Sequence, residues 1–422
     1  MRESKSAPLI VTSSPTSVVP SALASSDARN LTPANGTVGP VTDGPRERVD
    51  GEGDERERIH LIVLYGGESA EHDVSCVTAA HVLRAVDPSR YRVTPIGISE
   101  SGRWSVANDV AGAVESGTPL PGRLDAAGDP FEPGVVLTHG GPLAASRSGE
   151  PTGSPGERTV ALPLLHGPLG EDGTVQGFFE LADIAYVGAG VLGSAVGLDK
   201  AMSKQVLGAA GIPQAGYAAF AEHERTAELE TQLVEQFGLP CFVKPANMGS
   251  SVGVSKAHDG DELRAAIDLA LSYDEWVVVE EFVDGREIEL AVLGNEDPIV
   301  SVAGEIVPGE EFYSYEDKYV TDAAQLLIPA PLSDDELATV QVLAIDVFRA
   351  LRCQGLARVD FFYEEGGRGF LCNEANTMPG FTPISMYPKL WAASGIDYPE
   401  LIDRLVALAL DRHSRRRRNT KH

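Results

Sequence analysis

An apolar run from Ile59 to Tyr65 stops at Gly66-Gly67, and helically spaced apolar positions follow over Ser75–Val86. The change from a continuous apolar stretch to a 3.6-residue period marks a buried strand, a glycine turn and a helix. Tyr91–Ile98 repeats the strand pattern, so the chain opens as an α/β domain built on an open parallel sheet. Ligands of such sheets gather at glycine-rich loops beyond the carboxyl ends of the strands. Thr159–Leu165 is a further run of this kind; it leads into His166-Gly167-Pro168-Leu169-Gly170-Glu171-Asp172-Gly173, and a helix is predicted over Thr174–Leu181.

At 422 residues the chain exceeds one ordinary core, because domains usually hold about 100–200 residues. A Gly/Ala-rich joint at Ala189–Leu198 precedes a predicted helix over Asp199–Ala210, stopped by Gly211-Ile212-Pro213. Strands are predicted at Leu239–Pro245 and Trp276–Glu281, with the loop Asn247–Gly253 and a helix over Asp261–Leu271 between them. From Gly285 the strands lengthen: Glu287–Leu293, Ile299–Val307, and a hairpin of Ala357–Tyr363 with Gly369–Asn373 across the turn Glu364–Arg368. A polar aromatic loop, Glu310–Gln325, and a helix over Asp334–Leu351 fall between the members of that set. The expected division is a leader at 1–58, an α/β unit at 59–188 with a variable excursion at 108–158, a central unit at 189–284, a C-terminal unit at 285–412 and a basic tail at 413–422. The leader is rich in Ser, Pro, Gly and charge and is expected to be flexible.

A formal charge of −28 argues against nucleic-acid partners, since phosphate backbones are held by Lys and Arg clusters. No apolar run is long enough to span a membrane, so no membrane association is expected. Cys76, Cys241, Cys353 and Cys372 lack CxxC spacing and sit among apolar neighbours, as buried free thiols of a reduced, cytoplasmic protein do.

The densest chemistry lies in Arg358-Val359-Asp360-Phe361-Phe362 and Asn373-Glu374-Ala375-Asn376. Period-two alternation places Arg358 and Asp360 on one face and Glu374 and Asn376 on one face of the partner strand. Asp360, Glu374 and Asn376 then converge as hard oxygen donors suited to Mg²⁺ on nucleotide phosphates, although acidic pairs on strands are also common surface features. Val243-Lys244-Pro245, followed by Gly249-Ser250-Ser251-Val252-Gly253, puts a lysine at a strand end and a flexible loop behind it. Such a loop can turn N–H groups towards phosphate, but its spacing excludes a P-loop.

Together these pieces resemble the ATP-grasp superfamily, and within it the D-alanine–D-alanine ligases. The resemblance covers about residues 59–410 and rests on Tyr65-Gly66-Gly67-Glu68-Ser69-Ala70-Glu71-His72-Asp73-Val74-Ser75, on the segment 166–177 (HGPLGEDGTVQG), and on the block from Arg358 to Gly380 ending NEANTMPG. It implies a three-domain ATP-grasp architecture, and a ligase that phosphorylates one D-alanine with ATP and joins it to a second for peptidoglycan synthesis. It implies that Glu71 and His166 line the first D-alanine pocket, and that Ser250, Tyr319 and Glu71 form a hydrogen-bonded set. Arg358 and the Gly380 N–H would stabilise the tetrahedral oxyanion, with Ser385 and Met386 at the second substrate. Lys200, Lys244, Lys318, Ser250 and Ser251 would meet phosphates, and Glu280, Glu281, Phe282, Val283, Glu287 and Phe312 would enclose adenine and ribose. Asp360, Glu374 and Asn376 would hold two Mg²⁺ or Mn²⁺ ions. Tyr319 resembles the dipeptide-forming branch rather than the D-lactate-using one, and a homodimer is the family expectation.

Overall fold

The computed structural model describes residues 58–133, 158–307 and 325–416, together with the backbone of residues 9–11. Strand β1, Leu9–Val11, stands first in the chain, inside the expected leader. The first sheet holds β2 (Ile59–Gly66), β3 (Tyr91–Ile98), β4 (Trp104–Val106), β5 (Asp129–Pro130), β6 (Thr159–Pro163) and β7 (Ala185–Tyr186), in the order β5-β4-β3-β2-β6-β7. β2 runs parallel to β3 and β6, and β6 parallel to β7, as the apolar runs require; β4 and β5 add an antiparallel edge.

The helix His72–Ala85 begins three residues before the expected start, because the turn is already wound through the loop. His72 N–H donates to the Ser69 carbonyl, and the His72 ring bonds the Gly67 carbonyl at 2.7 Å. Ser75 accepts from Gly66 N–H at 2.8 Å and donates to the Leu164 carbonyl at 2.5 Å, so one buried hydroxyl ties the two glycine loops together. The excursion is more ordered than its composition implies. Asn108–Ser116 is a helix ended by the left-handed Gly117, and Val110 and Val114 bury against the first sheet; residues 134–157 lie outside the described set.

The second sheet adds β8 (Tyr217–Ala221), β9 (Cys241–Pro245), β10 (Ser255–Ala257) and β11 (Trp276–Glu281), antiparallel in the order β1-β8-β11-β9-β10. The third holds β12 (Arg286–Gly294), β13 (Ile299–Val307), β14 (Gln325–Leu327), β15 (Gly355–Glu364) and β16 (Gly369–Asn376), antiparallel in the order β14-β13-β12-β15-β16. The α/β, multi-sheet fold class expected from the sequence is the one observed.

Two C-terminal helices join the first and third sheets. Tyr387 and Trp391 from Met386–Ala393, and Leu401, Leu405 and Val406 from Tyr398–Arg416, share one apolar core with Leu61 and Val63 of β2 and Leu293 of β12. Arg412 donates to the Tyr186 carbonyl at 2.8 Å and stacks over the Tyr186 ring. The start of the expected basic tail is helical, because acids neutralise it: Arg415 pairs with Asp411 at 2.7 Å, and Arg416 with Glu180. All four cysteines are buried and free. Among the described residues no helix is long and apolar enough to cross a membrane.

Candidate active site

A cleft of about 400 Å³ lies between the second and third sheets, with the β15–β16 hairpin as its floor. Antiparallel register sets Asp360 opposite Glu374 and Arg358 opposite Asn376, and places Glu289 of β12 opposite Asp360 on the other side. A bulge after Asp360 shifts the pairing so that Phe361 faces Cys372. Asn373, inside that bulge, lies 3.3 Å from the Lys244 ammonium. The bulge accounts for the polar break before Glu374: Cys372 is buried while Asn373 reaches the cleft.

Arg358 donates to both oxygens of Asp360, at 2.8 and 2.7 Å, and lies 3.0 Å from Glu289. Burial alone would lower its pKa; Asp360 and then Glu289 outweigh burial and hold it well above its ordinary range. Asn376 also donates to Asp360 at 2.9 Å, and Glu374 lies 3.7 Å from Lys200. Asp360, Glu374 and Asn376 are thus all-oxygen donors gathered on one floor, which fits a hard divalent cation. Among the described residues no cluster of three or more His, Cys, Asp or Glu could hold a metal by itself. Two acids and an amide are a short set, suited to ions that take their remaining ligands from nucleotide phosphate and water.

Lys200 reaches the loop after β9, donating to the Met248 carbonyl at 2.6 Å. Lys244 donates to Glu280 at 3.1 Å. Phe282, Val283 and Glu287 line the cleft beside Glu280. Glu281 also lines the cleft, with one carboxylate oxygen, Oε1, accepting from Gly216 N–H at 2.6 Å and from Arg368. Phe312, Lys318 and Tyr319 lie outside the described residues.

The amino-acid side of the cleft forms where the loop after β9 meets the first sheet. Ser250 donates to Glu71, which begins the helix His72–Ala85. Ser250 and Ser251 both adopt left-handed backbone, at φ 50° and 60°, a conformation costly for non-glycine residues and concentrated at functional loops. A Cβ on Gly249 would crowd the Glu71 carboxylate at 3.1 Å and one on Gly167 at 3.0 Å, so glycine lets both loops approach this acid without displacing it. Burial holds His166 below its ordinary pKa against the opposing pull of Glu71. A neutral ring donating from Nδ1 to the Met378 carbonyl at 3.2 Å leaves the buried Nε2 able to accept and, among the described residues, without a hydrogen-bond partner. A Cβ on Gly380 would lie 3.1 Å from Ser385 Oγ, so those two positions adjoin. The Met386 side chain packs away from them, against Gly304, so what it can offer a ligand is its backbone.

Sequence reasoning missed Glu171, Lys204, Glu289 and Asn373, whose significance comes from partners far away in the chain. Glu171 accepts from Gly167 N–H at 2.7 Å and from Met378 N–H at 3.2 Å, joining a loop of the first sheet to one of the third. Its carboxyl is pushed up to about 8, by burial first and then by Glu71. Because the folded state holds this proton and the unfolded chain releases it near 4.5, Glu171 costs stability as pH rises from about 5 to 8 and adds no further change above that. Subtracting the melting temperatures of Glu171→Gln from those of the native chain across pH 4–9 is expected to isolate this fall. A flat difference would assign Glu171 an ordinary pKa.

Two family models match the chain: "D-ala D-ala ligase N-terminus" over residues 60–189 and "D-ala D-ala ligase C-terminus" over residues 206–407. Among curated relatives, a D-alanine–D-alanine ligase of Geobacillus kaustophilus is 48% identical over 354 residues, covering 83% of this chain and 94% of its own. One of Acetivibrio thermocellus is 44% identical over 368 residues, covering 85% and 97%. Among solved structures, the D-alanine–D-alanine ligase of Coxiella burnetii superposes with a TM-score of 0.70 at 34% identity, covering 85% of this chain and 96% of that one. The VanG D-Ala:D-Ser ligase of Enterococcus faecalis has a TM-score of 0.70 at 32% identity, covering 83% and 99%.

Proposed function

Because the chain belongs to the D-alanine–D-alanine ligase family, we propose that it joins two D-alanines with ATP and that the residues gathered around its cleft divide the work as follows. The observation that carries this reading is the Ser250–Glu71 bond, by which the loop after β9, itself part of the wall of the cleft that holds Glu280, closes on an acid of the first unit. Glu71, with the accepting Nε2 of His166 near it, holds the ammonium of the first D-alanine. The carboxylate of that amino acid attacks the γ-phosphorus, releasing ADP and forming an acyl phosphate, and Lys200 and Lys244 hold the phosphates in place. Asp360, Glu374 and Asn376 would hold Mg²⁺ or Mn²⁺, two ions by the family expectation, which when bound neutralises charge on the transferring phosphoryl group.

The amine of the second D-alanine then attacks the acyl carbon; phosphate leaves and the amine loses its proton. Arg358 and the Gly380 N–H receive the oxyanion, and Ser385 with the Met386 backbone sets the second substrate's carboxylate. The closed loop excludes water that would hydrolyse the acyl phosphate. Adenine sits against Phe282 and Val283 with its amino group at Glu280, and Glu287 takes the ribose. Units at 59–188, 189–284 and 285–412 would each contribute one wall. Buried free thiols fit a reducing cytoplasm, and a sedimentation mass near twice 44.7 kDa would support a homodimer.

A second reading, D-serine as the nucleophile, is favoured by the likeness to the D-Ala:D-Ser ligase; the higher identity of the curated D-alanine–D-alanine ligases favours D-alanine. Mass spectrometry of products formed with ATP, D-alanine and equal D-serine or D-lactate decides it. Predominantly D-alanyl-D-alanine is expected, and a majority of either mixed product would overturn the D-alanine assignment.

A further inference from the structure

Lys204 is 2% exposed, on the helix Lys200–Ala209, with its ammonium 3.3 Å from Glu280 Oε1 and over the Tyr217 ring at 5.4 Å. Glu280 is equally buried, and its other oxygen, Oε2, accepts from Lys244. One buried carboxylate is therefore held between two lysines of unlike access. Lys244 and Glu280 line the cleft, whereas Lys204 lies behind them.

We propose that Lys204 is a positioning residue: it is the standing counter-charge of Glu280, and so it frees Lys244 to leave Glu280 for nucleotide phosphate. The proposal rests on the reading that Lys244 meets phosphate. A carboxylate buried this deeply is tolerated only while a cation stays with it. If Lys244 were its sole partner, moving that ammonium towards phosphate would strand the charge, and the cost would fall on nucleotide binding. Lys204 removes the conflict. Burial alone would raise the pKa of Glu280, yet Lys204 first and Lys244 second bring it below the ordinary carboxylate value. The same pairing keeps Glu280 ionised and fixed as an acceptor on the wall of the cleft.

The test uses the full chain with Lys204→Met, Lys204→Arg, Glu280→Gln, the Lys204→Met/Glu280→Gln double variant and Lys244→Met, reading KM for ATP, kcat and melting temperature. Lys204→Met is expected to raise the KM for ATP about tenfold or more while kcat at saturating ATP changes less than about threefold, and Lys204→Arg to recover most of the loss. In the Glu280→Gln background Lys204→Met should alter that KM by less than about twofold, because no buried charge remains to be stranded. An unchanged KM in Lys204→Met, or an equal penalty in both backgrounds, overturns the proposal in favour of plain packing. If Lys204→Met does not fold, the double variant is expected to fold, and a double variant that is equally unfolded overturns it too. A native KM for ATP in Lys244→Met would instead refute the phosphate role of Lys244, a separate failure.

Discussion

Arg358→Met is expected to lower kcat for dipeptide formation by about 10²–10³, the loss typical of removing one preorganised oxyanion donor. The side chain also sits between Asp360 and Glu289, both buried, so its removal leaves two acids facing each other without a cation. Breaking such a buried pair costs about 3–5 kcal/mol, so the melting temperature should fall as well. Arg358→Lys separates the two effects. A lysine keeps the charge but cannot donate to both Asp360 oxygens at once while facing Glu289. Stability should therefore return further than turnover, measured as dipeptide formed per second beside a melting curve. A lysine variant with native turnover would remove Arg358 from the oxyanion site.

If Glu374 is a metal ligand as proposed, Glu374→Gln is expected to reduce turnover by about 10²-fold or more at saturating ATP, because losing that carboxylate would remove several kcal/mol of charge neutralisation. The substitution keeps size and shape, and Glu374 is partly exposed, so folding should be little affected. Its neighbour Lys200 keeps the Met248 carbonyl as a partner. Titrating Mg²⁺ against initial rates of ADP release should show a higher half-saturating concentration in the variant. Native turnover and native Mg²⁺ dependence together would sink the assignment of the β15–β16 floor as the metal site.

Both predictions concern a hairpin that local sequence describes well. Asp360 faces Glu374 because side chains alternate along strands and because the turn Glu364–Arg368 is too short to allow much else. The one-residue bulge at Asn373 was not foreseeable, since the odd residue it inserts looks like an irregularity in apolar pattern until the pairing partner is known. Glu281 illustrates the reverse limit. The resemblance placed it beside adenine and ribose, and it does line the cleft, but nothing in the local pattern announces that Gly216 N–H and Arg368 share its Oε1.

By itself the sequence determined the elements and their order: the strand, glycine turn and helix that begin at Ile59, the positions of the loops, the pairing of Arg358–Phe362 with Asn373–Asn376, and the family. The elements follow from interactions within a few residues, where periodicity and backbone preference act, and the family from the resemblance carried by three motif segments. Only the tertiary structure decided which charges are buried together. Glu171 spans 207 positions to Met378, and Lys204 is stranded from water only once Glu280 and Tyr217 close over it. The physical reason is that desolvation and Coulomb energy depend on distance in space, and chain separation carries almost no information about that distance until the sheets have packed.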